Sequence, residues 1–251
     1  PRKQVPQECR RKTPYLPFGQ FSGTKPFVQE LASLLHRTPG AIVRKAGNLA
    51  SFDPAMKSRG VGGLTHTSRL DKIVWDKYNG HWEELAYDAE ILLAKFKNLS
   101  LEESIDVDLK NLPEGRERVY EIKKRINQDF FRKTVISSYK EKCCITGINN
   151  PDLLHASHIV EWNKDVTNRT NPCNGLCLNV LFHKAYDENL LGISPDYDIK
   201  ISERFFGRNL AEVEDTTKRF ILGFNNRKLI LPARFYPDKD LLAMRYEKYC
   251  Q

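Results

Sequence analysis

Cys144-Ile-Thr-Gly147, Leu154-His-Ala-Ser-His158-Ile, Asn174-Gly-Leu and His183-Lys-Ala-Tyr-Asp187 follow one another along a single stretch of this chain. Two histidines bracket an asparagine, and eight residues separate Asn174 from His183. A neutral imidazole can take a proton from water, and a second one can hold a divalent cation. An asparagine amide, with one acceptor and two donors, could brace the loop. Together these residue types suit phosphodiester hydrolysis with one metal ion. On that reading His158 is the general base, Asn174 the brace and His183 the metal ligand.

Working outward, residues 116–141 have the pattern of a long basic helix, with Val119, Ile122, Ile126, Phe130 and Val135 at near-helical spacing. Residues 143–160 read as a short hairpin, 175–188 as a helix and 190–201 as strand, a strand–strand–helix unit. Farther on, Phe220-Ile-Leu-Gly-Phe224 reads as a turn and Lys228-Leu-Ile-Leu-Pro232 as a strand. Leu241 to Tyr249 reads as a closing helix.

Toward the N-terminus, the acidic Leu101-Glu-Glu-Ser-Ile-Asp-Val-Asp108 and the turn-like Pro113-Glu-Gly115 place a linker over 99–114. Residues 24–98 read as all helix within a domain spanning 14–98. Thr24 can cap a helix that begins near Pro26, and Thr38-Pro39 restarts a helix at once, since proline suits the first helical turn. Two helices joined by a tight break, the second of them basic, are the layout of a helix-turn-helix. Arg44, Lys45 and Asn48 on its outer face are then candidates for DNA contact; the blander reading is a solvated face of a bundle. Ser68 and Asp71 have the spacing of a capping box for a helix running to Tyr78. Trp82, Leu85, Ala86, Ala89, Leu92 and Leu93 mark the next amphipathic helix. Lys57-Ser-Arg-Gly-Val-Gly-Gly63 lacks the Gly-Lys-Ser/Thr ending of a nucleotide-binding loop. Residues 1–13 are polar and basic and read as a flexible arm.

Composition bounds these readings. The chain has 251 residues, 40% of them hydrophobic, which is enough for a core. No apolar run approaches the roughly 18 residues of a membrane span, and the polar start at Pro1-Arg-Lys-Gln is not that of a secretion signal. A cytoplasmic protein is the expectation. The formal net charge of +8 suits a polyanionic partner. Six cysteines are few for this length, and adjacent Cys143 and Cys144 are poorly placed to pair with each other. Cys173 and Cys177 lack a second ligand pair of matching spacing, so structural zinc is not expected.

The motifs quoted above resemble the HNH endonuclease family, and more narrowly its restriction-like and phage-defence branch. Asn127-Gln-Asp-Phe-Phe-Arg132, Tyr139-Lys-Glu-Lys-Cys-Cys-Ile-Thr-Gly147 and Leu229-Ile-Leu-Pro232 before a C-terminal helix are similar too. The resemblance covers roughly residues 115–250. It implies an α+β protein, with the helical N-terminal domain followed over 115–251 by a ββα-metal nuclease domain and a C-terminal strand and helix. It further implies His158 as base, Asn174 behind it, and His183 as ligand to Mg²⁺, Mn²⁺ or another divalent ion. DNA, double-stranded, is the implied substrate, cut to a 5′-phosphate and a 3′-hydroxyl, in a restriction or antiphage setting. A homodimer or sequential nicking would serve a double-strand cut, and a regulatory or defence partner protein would restrain it.

One departure stands out. The family often places Asp, or another ligand, directly before the base, where this chain has Ser157, a weak Mg²⁺ ligand beside a carboxylate. His155 shares strand parity with Ser157, and Asp187 lies one helical turn after His183; each is a candidate second ligand. Arg169, between base and helix, either touches the scissile phosphate or faces solvent. The rival readings are a non-catalytic DNA-binding protein on a degenerate HNH fold, and a nuclease for RNA or structured nucleic acid.

Overall fold

The computed structural model describes residues 21–57, 60, 67–105, 115–207 and 210–250. The basic arm at 1–13 lies outside the described residues, as do most of the glycine-rich 57–63 stretch and the end of the expected linker, 106–114. The chain divides into two compact units, residues 1–130 and 131–251. That division falls inside a helix.

The first unit is helical among its described residues: α1 (Pro26–Leu34), α2 (Pro39–Ala50), α3 (Pro54–Lys57), α4 (Arg69–Tyr78), α5 (Trp82–Lys97) and α6 (Leu101–Ile105). Lys25, not Thr24, is the cap residue of α1, and its side chain makes no capping bond; Pro26 supplies the preset φ of the first turn. The break before α2 has a local cause. His36 sits at φ 50°, and Arg37 N–H donates to Ala32 O at 2.8 Å while His36 N–H donates to Ser33 O. That is a Schellman ending with histidine in the position glycine usually takes. Thr38 then caps α2 by accepting from Ala41 N–H at 3.2 Å. Ser68 and Asp71 form the reciprocal capping box of α4.

Part of the acidic segment expected as linker is α6, whose Leu101 and Ile105 pack on Ala86, Ile122, Ile126 and Phe130. Leu92, expected inward, is exposed. Helix α7 (Arg116–Ser138) runs through the boundary: Ile122 to Phe130 belong to that cluster, and Phe131 and Val135 to the core of the second unit.

The second unit is built on an antiparallel ribbon, β1 (Leu154–His158) and β2 (Gly175–Asn179), followed directly by α8 (Val180–Asp187). Residues 143–160 are therefore not a hairpin. Cys143–Ile148 folds back on itself, with Cys143 N–H donating to Ile148 O and Gly147 at φ 75°, and β1 finds its partner across the 159–174 loop. Residues 175–179, expected as the start of a helix, are strand and buried at all five positions. Asn179 sets the switch: its side chain accepts from Phe182 N–H at 2.9 Å and starts α8.

The core gathers Phe131, Val135, Leu154, Leu176, Leu178, Phe182 and Tyr186. Beyond it lie the hairpin β3 (Leu191–Ile193) and β4 (Ile199–Ile201), then α9 (Asp215–Leu222) and α10 (Lys239–Cys250). The expected strand at 228–232 is reduced to one bridge, Asp198 with Lys228, although Ile230 N–H still reaches Cys144 O at 2.8 Å.

Gly175 lets the ribbon lie against α7. A Cβ there would sit 2.3 Å from Val135 Cγ2 and 3.1 Å from Pro172 O. Gly175→Ala should destabilise the protein by about 1–3 kcal/mol through overpacking. In urea denaturation, Val135→Ala should cost less in the Gly175→Ala background than alone. Additive effects would show that the two residues do not share the space.

Candidate active site on the ribbon and helix

His158 ends β1 with its ring between two aromatic walls. It stacks on Phe131, with centroids 3.7 Å apart and planes 10° from parallel, and meets Trp162 edge-on at 5.6 Å. Its Nε2 lies 2.9 Å from the main-chain oxygen of Arg169. A carbonyl oxygen can only accept, so Nε2 carries the proton and the neutral ring keeps its lone pair on Nδ1. Burial pushes the imidazole below its ordinary pKa, partly offset by the Arg169 carbonyl, which favours the cation. The side chain is thus a proton acceptor at neutral pH.

Asn174 is fully buried, yet its amide is satisfied on both atoms. Oδ1 accepts from Val160 N–H at 2.8 Å, while Nδ2 donates to Val160 O at 3.0 Å and Asn168 O at 3.1 Å. Ile159 N–H donates to Asn174 O. Three further side chains continue this chain of contacts at three-residue spacing. Asn171 Nδ2 donates to Asn168 Oδ1, and Asn168 Nδ2 donates to Asp165 Oδ2 at 2.7 Å. The loop that carries the Arg169 carbonyl is held from within.

His183 lies on α8, with Nδ1 2.6 Å from Ser157 Oγ and Nε2 3.6 Å from Asp187 Oδ2. Ser157 is buried, so its hydroxyl is spent on orienting the His183 ring. His155 stacks on that ring at 4.7 Å with planes 12° apart. Nearly parallel rings direct their in-plane lone pairs side by side rather than toward one point. Burial, followed by His183 and Arg132, pushes the His155 pKa down. Ala156, His158, Glu161, Trp162, His183, Asp187 and Arg245 line one open hollow.

Residues 143–194 match the HNH endonuclease family. No curated protein matches the chain. The HNH match suggests nuclease activity on nucleic acid, chemistry for which that family generally uses a divalent metal ion. Among the described residues no three His, Cys, Asp or Glu side chains gather as a metal cluster. His183 Nε2 and Asp187 Oδ2, both reaching the hollow, do lie close enough to share a cation. Such a pair fits a hard ion that keeps several waters and takes further oxygens from a phosphate. It does not make the closed four-ligand cage of structural zinc. Around the Cys143–Ile148 turn and the strand beside it, burial holds the Cys144 thiol far above its usual range and pushes that of Cys177 up to about 12.

The other residues singled out from sequence are placed as follows. Arg169 stacks its guanidinium 5.4 Å from the Trp162 ring, and Nε donates to Val166 O. In the first unit, Lys45 donates to Asp71 at 2.6 Å and Asn48 to the same carboxylate at 3.2 Å. Lys45, with the Ser68 main chain, holds Asp71 down at about 2. Both side chains thus support the start of α4, and Arg44 remains exposed. Sequence reasoning missed Phe131, Glu161 and Arg245 as parts of the site. It missed the Asp165-Asn168-Asn171 series too, although that spacing is visible in the sequence.

His158 yields a direct test. Its folded pKa is depressed, so it contributes stability above its unfolded midpoint of about 6.5 that is lost as pH falls through the lower folded value. In NMR titration, with His158→Ala to assign the ring signals, the His158 midpoint should lie below about 6.5. A midpoint at or above that value would contradict the burial argument.

Proposed function

We propose that the protein is a metal-dependent endonuclease hydrolysing DNA phosphodiester bonds, with His158 as general base. The observation that carries this reading is the Arg169 carbonyl on His158 Nε2, which reserves Nδ1 for a proton beside the hollow shared with His183 and Asp187. A water in the hollow gives its proton to Nδ1 as its oxygen attacks phosphorus, and the resulting imidazolium keeps its bond to the carbonyl. Asn174 fixes the loop that presents that carbonyl, and Ser157 fixes the His183 ring. His183 and Asp187 would hold Mg²⁺ or Mn²⁺, which when bound supplies positive charge for the pentacoordinate phosphate and the departing 3′ oxygen. His155 backs His183 rather than joining it as a ligand. The products are a 5′-phosphate and a 3′-hydroxyl, and the setting is restriction or antiphage defence, as the resemblance implies.

A second reading, a DNA-binding protein without turnover, is favoured by Ser157 standing where the family often has a ligand. Supercoiled plasmid incubated with Mg²⁺, Mn²⁺ or EDTA separates the two. Metal-dependent nicking or linearisation, reduced by at least about 100-fold in His158→Ala and in His183→Ala, is expected. Intact plasmid with bound protein in every lane would support the second reading.

Arg44 is the proposed duplex contact of the helical unit, since Lys45 and Asn48 are engaged with Asp71. Arg44→Ala should reduce the salt slope of DNA binding by about one. An unchanged slope would remove the residue from the interface.

A further inference from the structure

Glu161 follows the base strand, and three cations converge on it. Lys164 approaches to 2.7 Å, Arg245 to 3.5 Å and Lys248 to 3.9 Å. Arg245 is buried, with a side chain 7% exposed, and its Nη2 donates to the main-chain oxygen of Tyr186, with Asp187 O at 3.4 Å. That anchorage leaves Arg245 lining the hollow beside His158, His183 and Asp187. Lys164 and Lys248 come from the loop and from α10 and are partly exposed.

We propose that Lys164, Arg245 and Lys248 form a subsite for a backbone phosphate of the nucleic acid, with Glu161 holding the cations together until the phosphate displaces it. The proposal rests on a nucleic-acid substrate for this hollow. One carboxylate against three cations leaves an excess of positive charge at one edge of the hollow. The crowding registers on Lys248, whose pKa is pushed down by burial and by Lys164. At 3.5 Å from Glu161, the guanidinium is not in the tight bidentate geometry that Arg adopts with carboxylate or phosphate. A phosphodiester shares one negative charge over two non-bridging oxygens, and it can offer both to that fork while Lys164 and Lys248 lie beside it. A purely structural network tying α10 to the loop predicts something different: removing Glu161 would loosen the protein and gain no affinity.

The test is binding of a fluorescein-labelled DNA duplex to the full chain in EDTA, by anisotropy at several salt concentrations. Glu161→Gln should tighten binding roughly two- to fivefold, the range a partly exposed ion pair spans. Lys248→Ala should weaken binding and lower the salt slope by about one, and should cancel the gain when combined with Glu161→Gln. Asp196→Asn is the control, because Asp196 is also paired with a lysine, Lys239 at 3.1 Å, and changes net charge equally. Equal tightening by Asp196→Asn, or no tightening by Glu161→Gln, overturns the subsite. If Glu161→Gln fails to fold, an unchanged slope in Lys248→Ala overturns it instead. Plasmid cutting by the wild type is read separately. Cutting without the affinity gain keeps the nuclease and removes the subsite; the gain without cutting does the reverse.

Discussion

The buried amide of Asn174 holds the second unit's chemistry together. Its two polar atoms bond the main chain of Val160 and Asn168. It therefore closes the 159–174 loop where β1 leaves the ribbon and β2 enters it. An unsatisfied buried amide costs about 1–3 kcal/mol per group, so the loop has few other ways to close. The Arg169 carbonyl, next to Asn168, reaches His158 from that loop. The tautomer of His158 follows from this chain of contacts. Gly175, the next residue, is opposite His158 in the ribbon register and permits the close approach of Val135. One amide and one missing Cβ fix both the loop and the strand pairing.

Charge is distributed across the site in keeping with that frame. Strand alternation separates neighbours on β1: His158 turns to Phe131, and Ser157 turns to His183. The first imidazole is buried, and its removal from water disfavours its cation. The second lies near a carboxylate that half faces solvent, Asp187. A base needs a free lone pair at neutral pH, and a cation site needs negative charge and water. Under the proposed roles, the two environments meet those needs without competing for one proton.

Much of this was legible in the residues. His158, Asn174 and His183 were singled out by type and spacing, and the structure brings all three to one ribbon-and-helix unit. The capping box at Ser68 and Asp71 and the Thr38-Pro39 restart were readable because helix ends depend on local chemistry. The strand 175–179 was not, because a short, fully buried apolar run has no period to distinguish it from helix; the Asn179 cap was the overlooked cue. The partner of β1 was assigned to the wrong segment because pairing across a long loop leaves no local mark. Lys45 is exposed, as its helix face predicts, but the bonds of Lys45 and Asn48 to Asp71 were not legible, since sequence alone does not show that Asp71 lies within reach.

Arg245 was invisible for the same reason, and it shows how far the site extends beyond residues 143–194. Helix α10 reaches the rest of the second unit by three routes. Arg245 meets the main-chain carbonyls at the end of α8, adding to the bond that Tyr186 O accepts from Asn189 N–H. Tyr249 lies over Gly192, where an added Cβ would come within 2.4 Å of its ring. Leu241 and Leu242 join the same core as Leu176 and Phe182. The carbonyls that Arg245 engages belong to Tyr186 and Asp187, so the guanidinium fixes the turn from which the Asp187 carboxylate projects. A side chain almost sixty residues from α8 thus sets the position of one member of the proposed cation pair. The ribbon and helix carry the proposed reacting groups, and the C-terminal helix ties their ends to the core.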